Sequence, residues 1–266
     1  FRSAMRLCYG ILVTSMGYRA SDLLYPDISK LLTLEKASSL LQQTRYAQAV
    51  LVAYEYCLSE VWTSHGVRPQ IVMGHSLGEY AAAVVAGVMS IEDCLMLVCE
   101  RGRLMHESRR CSGRMVALRA TVSDVEAAIK RAGTAEYAAI AGVNAYRSTV
   151  LSGSAEGVAK TLLCLENVPN IPLGVQHGFH SPCTASVLPD YRLVLAKVSL
   201  RAASRIKFIS TVTGAEVSQE LTDPEYWCKH ITGTVLYAPA SEFAWSAGAR
   251  VFIEMGPESI FVPTQL

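Results

Sequence analysis

Residues 71–80, IVMGHSLGEY, constrain this chain more than any other stretch. Ile71, Val72 and Met73 follow Pro69 and read as a short buried strand. Gly74-His75-Ser76-Leu77-Gly78 fits G-x-S-x-G, and residues 79–86 are rich in helix formers. Strand, sharp turn and helix are the setting that a nucleophile elbow requires. In such a turn a side chain at Gly74 or Gly78 is expected to crowd the backbone beside Ser76. The Ser76 hydroxyl then stands at a helix N-terminus, where free N–H groups and the positive dipole end favour developing negative charge. Ser76 is the candidate nucleophile.

At 266 residues the chain can bury a sizeable core, as one large domain or a domain carrying an inserted lobe. A net charge of +1 gives no electrostatic footprint for nucleic acid or an anionic membrane. No apolar run nears the roughly 20 residues needed to span a bilayer, so a mean hydropathy of +0.26 reflects a large core. No secretory signal is present, and the eight cysteines are scattered without a CxxC pair. They read as buried thiols of a reducing compartment, and the expected location is cytoplasmic. His177 and His180 sit three apart with no Cys or carboxylate nearby in sequence, so no metal site is expected.

Residues 1–64 read as mostly helical, with a loop at 18–27. The clearest helix spans 44–62 and carries Leu51, Tyr54, Leu58 and Trp62 on one face. Ser90-Ile91-Glu92-Asp93 has the form of a capping box opening a helix to about residue 105. From residue 115 the texture changes: strand 115–120, helix 123–132, strands 137–143 and 148–151, helix 155–165, strand 171–176. That βαββαβ order is the split βαβ of a ferredoxin-like lobe. The fold class is therefore α/β, with a larger subdomain of residues 1–114 and 180–266 interrupted by a small subdomain, 115–179. Two more strands of the larger part are expected at 207–212 and 250–254. The cleft between two such parts is a usual place for a ligand.

A serine nucleophile needs a base, because its hydroxyl is almost wholly protonated at neutral pH. Of six histidines, His75 lies inside the elbow, and His65, His106 and His230 have no special context. His177-Gly-Phe-His-Ser-Pro182 ends the small lobe and returns the chain to the cleft. From spacing alone, either His177 or His180 can be the base.

Six stretches occur in order: GHSLGEY at 74–80, RGRLM at 101–105, GVN at 142–144, HGFHSP at 177–182, VTG at 212–214 and EMGP at 254–257. Together they resemble the malonyl-CoA:acyl-carrier-protein transacylase family, above all the acyltransferase domains of type I polyketide and fatty-acid synthases. The resemblance implies an α/β-hydrolase-like domain with an inserted ferredoxin-like lobe. It makes Ser76 the acyl acceptor and His180 the base, with a backbone carbonyl at His230 orienting that base. Arg101 matches the arginine that pairs with the malonyl carboxylate, for which a planar, permanently charged guanidinium is suited. Gln48, Asn144 and His75 match positions near the family's substrate site, and Phe179 sits where its ring would narrow the space around the acyl α-carbon. HGFH is closer to the HAFH of malonyl-selective domains than to YASH.

The implied reaction is two-step acyl transfer, with the Leu77 backbone N–H in the oxyanion hole. The expected partners are malonyl-CoA, an acyl carrier protein and neighbouring synthase domains, with no nucleic acid and no membrane. No permanently bound cofactor is expected; coenzyme A arrives as the thioester, and phosphopantetheine on the carrier. The chain departs from the family in lacking a G-Q-G-S-Q motif, source of a second oxyanion donor, and the expectation is that it is a fragment of a longer polypeptide. It also has Gly178 in place of the commoner alanine. A serine hydrolase or thioesterase, and a catalytically impaired carrier-docking fragment, are the alternative readings.

Overall fold

Apolar residues recur at helical spacing through the first 64 residues, and the computed structural model, which describes residues 1–261, folds them into five helices. These are α1 (Arg2–Met16), α2 (Ala20–Leu24), α3 (Pro26–Ser29), α4 (Leu34–Leu41) and α5 (Thr44–Ser64). The expected loop at 18–27 thus holds two short helices. Asp22 reaches back to the Arg19 N–H at 3.1 Å, and Pro26 occupies the first helical position, where its missing N–H costs nothing. The buried face of α5 also differs from the expected one. It is Gln48, Ala49, Val50, Val52, Ala53 and Cys57, whereas Trp62 is 42 % exposed and Leu51, Tyr54 and Leu58 are only partly covered. Small residues on that face let α5 lie close between its helical neighbours, a packing that outweighs the larger stripe.

Strand β1 (Ile71–Met73) leads through the elbow into α6 (Gly78–Val85), and α7 (Ile91–Glu107) follows. Ser90 caps α7, its hydroxyl accepting from the Asp93 N–H at 3.0 Å. The main core lies where α1, α5, α6 and α7 meet, with Leu12, Val50, Tyr80, Leu95 and Val98 buried in it.

The inserted lobe runs β2 (Arg114–Leu118), α8 (Val122–Ala132), β3 (Ala138–Ala145), β4 (Ser148–Gly153), α9 (Ala155–Leu163) and β5 (Asn170–Pro172). Its sheet has the order β3-β4-β2-β5 with every pair antiparallel, the ferredoxin-like arrangement. Val116, Leu118, Val125, Ala128, Leu151 and Val158 give this lobe its own core. β5 is shorter than expected because its register with β2 lasts only three residues, Asn170 to Pro172.

The chain then returns through α10 (Leu188–Leu195), β6 (Lys207–Ser210), β7 (Ala215–Val217), α11 (Pro224–Thr232) and α12 (Tyr237–Ser246). β6 pairs in parallel with β1 and antiparallel with β7, which leaves β1 at the edge of this sheet. The strand expected at 250–254 does not form. That segment and β1 line one cavity of about 820 Å³, to which Ile71, Met73, Phe252 and Met255 contribute. A ladder needs a partner strand at about 4.8 Å, and among the described residues β1 pairs only with β6. Among the described residues no helix is long and apolar enough to cross a membrane.

Candidate active site

The elbow forms because Gly74 has no side chain. A Cβ there would lie 2.2 Å from the Glu79 nitrogen and 2.2 Å from the Gly78 carbonyl carbon, so the turn from β1 into α6 could not close. Crowding was expected at Gly78 as well, and it is absent. Gly78 faces the cavity beside β1, and nothing lies within 4 Å of a Cβ built on it. The tight turn leaves Ser76 at φ 51°, a left-handed conformation that a non-glycine residue holds only when its surroundings enforce it.

Ser76 Oγ lies 2.6 Å from His180 Nε2. His180 is itself at φ 54° and is 4 % exposed. Its other nitrogen, Nδ1, is 2.8 Å from the Gly233 carbonyl. A carbonyl can only accept, so Nδ1 carries the proton, Nε2 presents its lone pair, and the serine hydroxyl donates. The orienting carbonyl therefore belongs to Gly233, not to His230 as expected. The His230 carbonyl lies within the last turn of α11 and follows its axis. Gly233 leaves the helix with φ −79° and ψ 158°, which turns its carbonyl out of line.

Burial, and after it the Arg101 charge, lower the His180 basicity to a pKa of about 3. The imidazole is thus neutral across the ordinary pH range. His177 does not reach Ser76. It stacks on Phe179 at 5.3 Å, 18° between planes, with the His106 ring 6.4 Å away.

Arg101 is 3 % exposed on the inner face of α7. One guanidinium nitrogen, Nη1, donates to Gln48 Oε1 across the α5–α7 contact, and Gln48 Nε2 donates in turn to Thr44 Oγ1 at 2.7 Å. That pair of bonds fixes which way the Gln48 amide faces. Arg101 Nε is buried with no hydrogen-bond partner, and no carboxylate pairs with Arg101 among the described residues. A buried cation with one neutral partner is poised for an anion. Its charge also reaches His180 and His230.

His75 and Asn144 meet each other, with Nε2 2.9 Å from Oδ1, and so tie the elbow to β3 of the small lobe. The carbonyl oxygen of the amide accepts, so Nε2 of His75 is the protonated nitrogen. The His75 ring stacks on Phe261 at 4.5 Å and lies 5.5 Å from Tyr237; burial holds its pKa below the usual value. A second tie between the lobes is a short parallel ladder, Val143 N–H to the Val235 carbonyl and Val235 N–H to the Ala141 carbonyl, both 2.9 Å.

Beneath the elbow lies a polar group that sequence reasoning missed. Glu79, fully buried, accepts from Thr211 Oγ1 and Tyr226 Oη at 2.6 Å each, and from the Thr211 N–H. Burial raises its carboxyl to a pKa of about 7, against the pull of those donors. The signal was present: Glu79 is the one charged residue between Arg68 and Glu92 other than the elbow histidine, in an otherwise apolar stretch.

The α/β scaffold with its inserted lobe matches solved acyltransferases. MCAT from Streptococcus pneumoniae matches 98 % of this chain, over 83 % of its own, with a TM-score of 0.85 at 25 % identity. The acyltransferase domain from module 8 of the salinomycin polyketide synthase matches 99 % of it, over 60 % of its own chain, with a TM-score of 0.88 at 27 % identity. The sequence matches the family described as Acyl transferase domain over residues 1–264, and the chain belongs to that family. Among curated relatives, polyketide synthase GfsB of Streptomyces halstedii is 40 % identical over 221 residues, 82 % of this chain and 4 % of its own length. The PKS-NRPS hybrid synthetase acdB of Aspergillus candidus is 37 % identical over 226 residues, 84 % of this chain and 9 % of its own. The chain therefore spans less than a tenth of the length of these relatives.

Proposed function

We propose that this acyl transferase domain moves a malonyl group from coenzyme A, through an ester on Ser76, to the phosphopantetheine thiol of an acyl carrier protein within a polyketide or fatty-acid synthase. The observation that carries the reading is the Ser76 Oγ to His180 Nε2 contact of 2.6 Å, with Nδ1 locked on the Gly233 carbonyl. His180 Nε2 takes the hydroxyl proton as Ser76 Oγ attacks the thioester carbonyl. The Leu77 N–H, at the start of α6, donates to the oxyanion. Collapse expels the coenzyme A thiolate, which recovers its proton from His180. The carrier thiol then gives a proton to His180, attacks the acyl-serine, and Ser76 leaves as its hydroxyl.

In this reading Arg101 and Gln48 take the acyl carboxylate: the guanidinium supplies the charge, and Gln48 fixes its orientation. His75 and Asn144 shape the lobe-facing side, and Phe179, stacked on His177, limits α-substituents. In this reading the catalytic part is 1–114 with 180–266, and the inserted lobe is 115–179. The test is intact-mass spectrometry after incubation with malonyl-CoA. A malonyl adduct is expected on the parent and not on Ser76→Ala; an adduct that persists in Ser76→Ala defeats the assignment. Adding a carrier protein should discharge the ester by transfer rather than by hydrolysis.

A further inference from the structure

His230 stands directly behind the nucleophile, although the family resemblance implied a role only for its backbone carbonyl and none for its side chain. It is 2 % exposed on α11, its ring edge-on to Tyr80 at 5.2 Å and 89° and 5.9 Å from that of Trp227. Its Nε2 lies 2.9 Å from the Ser76 carbonyl oxygen. Because that oxygen only accepts, Nε2 carries the proton and Nδ1 is bare. Nδ1 is buried without a hydrogen-bond partner among the described residues. The nearest carboxylate oxygen, Glu79 Oε2, is 3.9 Å from Nε2, beyond hydrogen-bond range, and is held by Tyr226. An apolar side chain would fill this space without leaving a buried acceptor unmet. Packing alone does not account for an imidazole here; its Nε2–H does.

The Ser76 carbonyl and the Leu77 N–H are the two ends of one planar peptide group. On its carbonyl end this group accepts from the Glu79 N–H at 2.9 Å and from His230. On its other end the Leu77 N–H has no acceptor among the described residues and is free for an oxyanion. The plane follows a residue at φ 51°, where relaxation toward an unstrained conformation would swing it. We propose that His230 is a positioning residue for the oxyanion hole: its Nε2–H pins the Ser76–Leu77 peptide plane and thereby aims the Leu77 N–H at the developing oxyanion. A carbonyl that accepts a hydrogen bond also polarises its amide, so the Leu77 N–H becomes a stronger donor. The inference takes the serine-nucleophile reading as its base and does not depend on which acyl group is carried.

The test compares His230→Leu, which removes the donor, with His230→Gln, whose amide nitrogen has the reach of Nε2. The probe is a fluorophosphonate, whose phosphoryl oxygen occupies the oxyanion position, and the readout is the rate and saturation of Ser76 labelling. Losing an oxyanion donor outright costs about 100- to 1000-fold, so misaiming one should cost about 10- to 100-fold. We expect His230→Leu to lose that much in the maximal labelling rate with its half-saturating concentration unchanged, and His230→Gln to stay within about threefold of the parent. Thermal unfolding of His230→Leu should match or exceed that of the parent. Full labelling rate in His230→Leu, equal loss in both variants, or loss expressed in saturation instead of rate overturns the inference. Nitrogen-15 NMR of the histidine ring in the parent checks it without any substitution: a proton on Nε2 is expected, and one on Nδ1 overturns it. A parent that labels with fluorophosphonate but never with malonyl-CoA would sink the malonyl reading alone.

Discussion

Replacing Arg101 with alanine should erase the preference for malonyl over acetyl thioesters. The guanidinium has five N–H donors, and among the described residues it has one acceptor, the neutral Gln48 Oε1. The residue is 3 % exposed, and Nε is buried without a hydrogen-bond partner among the described residues. A malonyl carboxylate arriving here would take two charge-assisted hydrogen bonds, each worth about 1.5–3 kcal/mol. Its own desolvation offsets part of that sum, leaving roughly 2–5 kcal/mol, or about 30- to 5000-fold between malonyl and acetyl. Acetyl-CoA offers no anion and gains none of it. The assay is competition between the two thioesters, read as the mass of the adduct on Ser76. Arg101→Ala should accept both at comparable rates, with Ser76 still acylated. In the same experiment Arg101→Leu should unfold at or above the parent's temperature, because removing an unpaired buried charge in favour of apolar volume is neutral or stabilising. A retained malonyl preference in Arg101→Ala would refute the carboxylate clamp. Loss of the fold in Arg101→Leu would make Arg101 a structural residue.

The other expectations concern the base, its titration and the lobe junction. His180→Ala should slow acylation by about 100-fold or more, while His177→Ala, which stacks on Phe179 away from the hydroxyl, should change it little; a larger loss from His177→Ala would reverse the roles. With its pKa lowered by burial and by Arg101 to about 3, His180 stays neutral, so the labelling rate per folded molecule should be flat from pH 7 to 5. The stability that accompanies this neutral form is complete above pH 6.5 and is lost as pH falls toward 3, because the unfolded chain binds the proton first. In the malonyl-Ser76 form the acyl carboxylate neutralises Arg101, so the His180 NMR titration should move upward; a downward or absent shift would contradict the pairing. Gly178→Ala, which restores the residue commoner in the family, should destabilise this chain by about 1–3 kcal/mol in denaturant unfolding, since its Cβ would lie 2.9 Å from the Gly153 carbonyl oxygen.

Much of this protein was legible because its signals are local. The elbow is one run of residues, with Gly74 required by the closeness of the Glu79 backbone. The small lobe's element order could be read because each strand and helix carries its own periodicity and caps, such as Thr121 and Asp124 bonding reciprocally at the start of α8. Local reasoning failed where neighbours decide the outcome. Residues 250–254 have the composition of a strand, yet a strand exists only beside a partner, and among the described residues none pairs with them. The stripe of large side chains on α5 was visible, but the face that packs is the one with small residues, because helix separation there favours them.

The same division holds for the chemistry. The sequence by itself determined that a serine would stand on a strained turn at a helix start and that an α/β frame would carry an inserted βαββαβ lobe. Spacing left His177 and His180 open, and the tertiary structure sets His180 on Ser76, across 104 residues, and gives it the Gly233 carbonyl, 53 residues further on. It alone set His230 against the Ser76 carbonyl, 154 residues away, and Glu79 on Thr211, 132 away. Periodicity and turn chemistry act over one or two turns of chain, whereas a hydrogen bond is a matter of about 3 Å in space. Only the packing of α5, α6, α7 and α11 around the elbow brings such distant donors and acceptors to that distance.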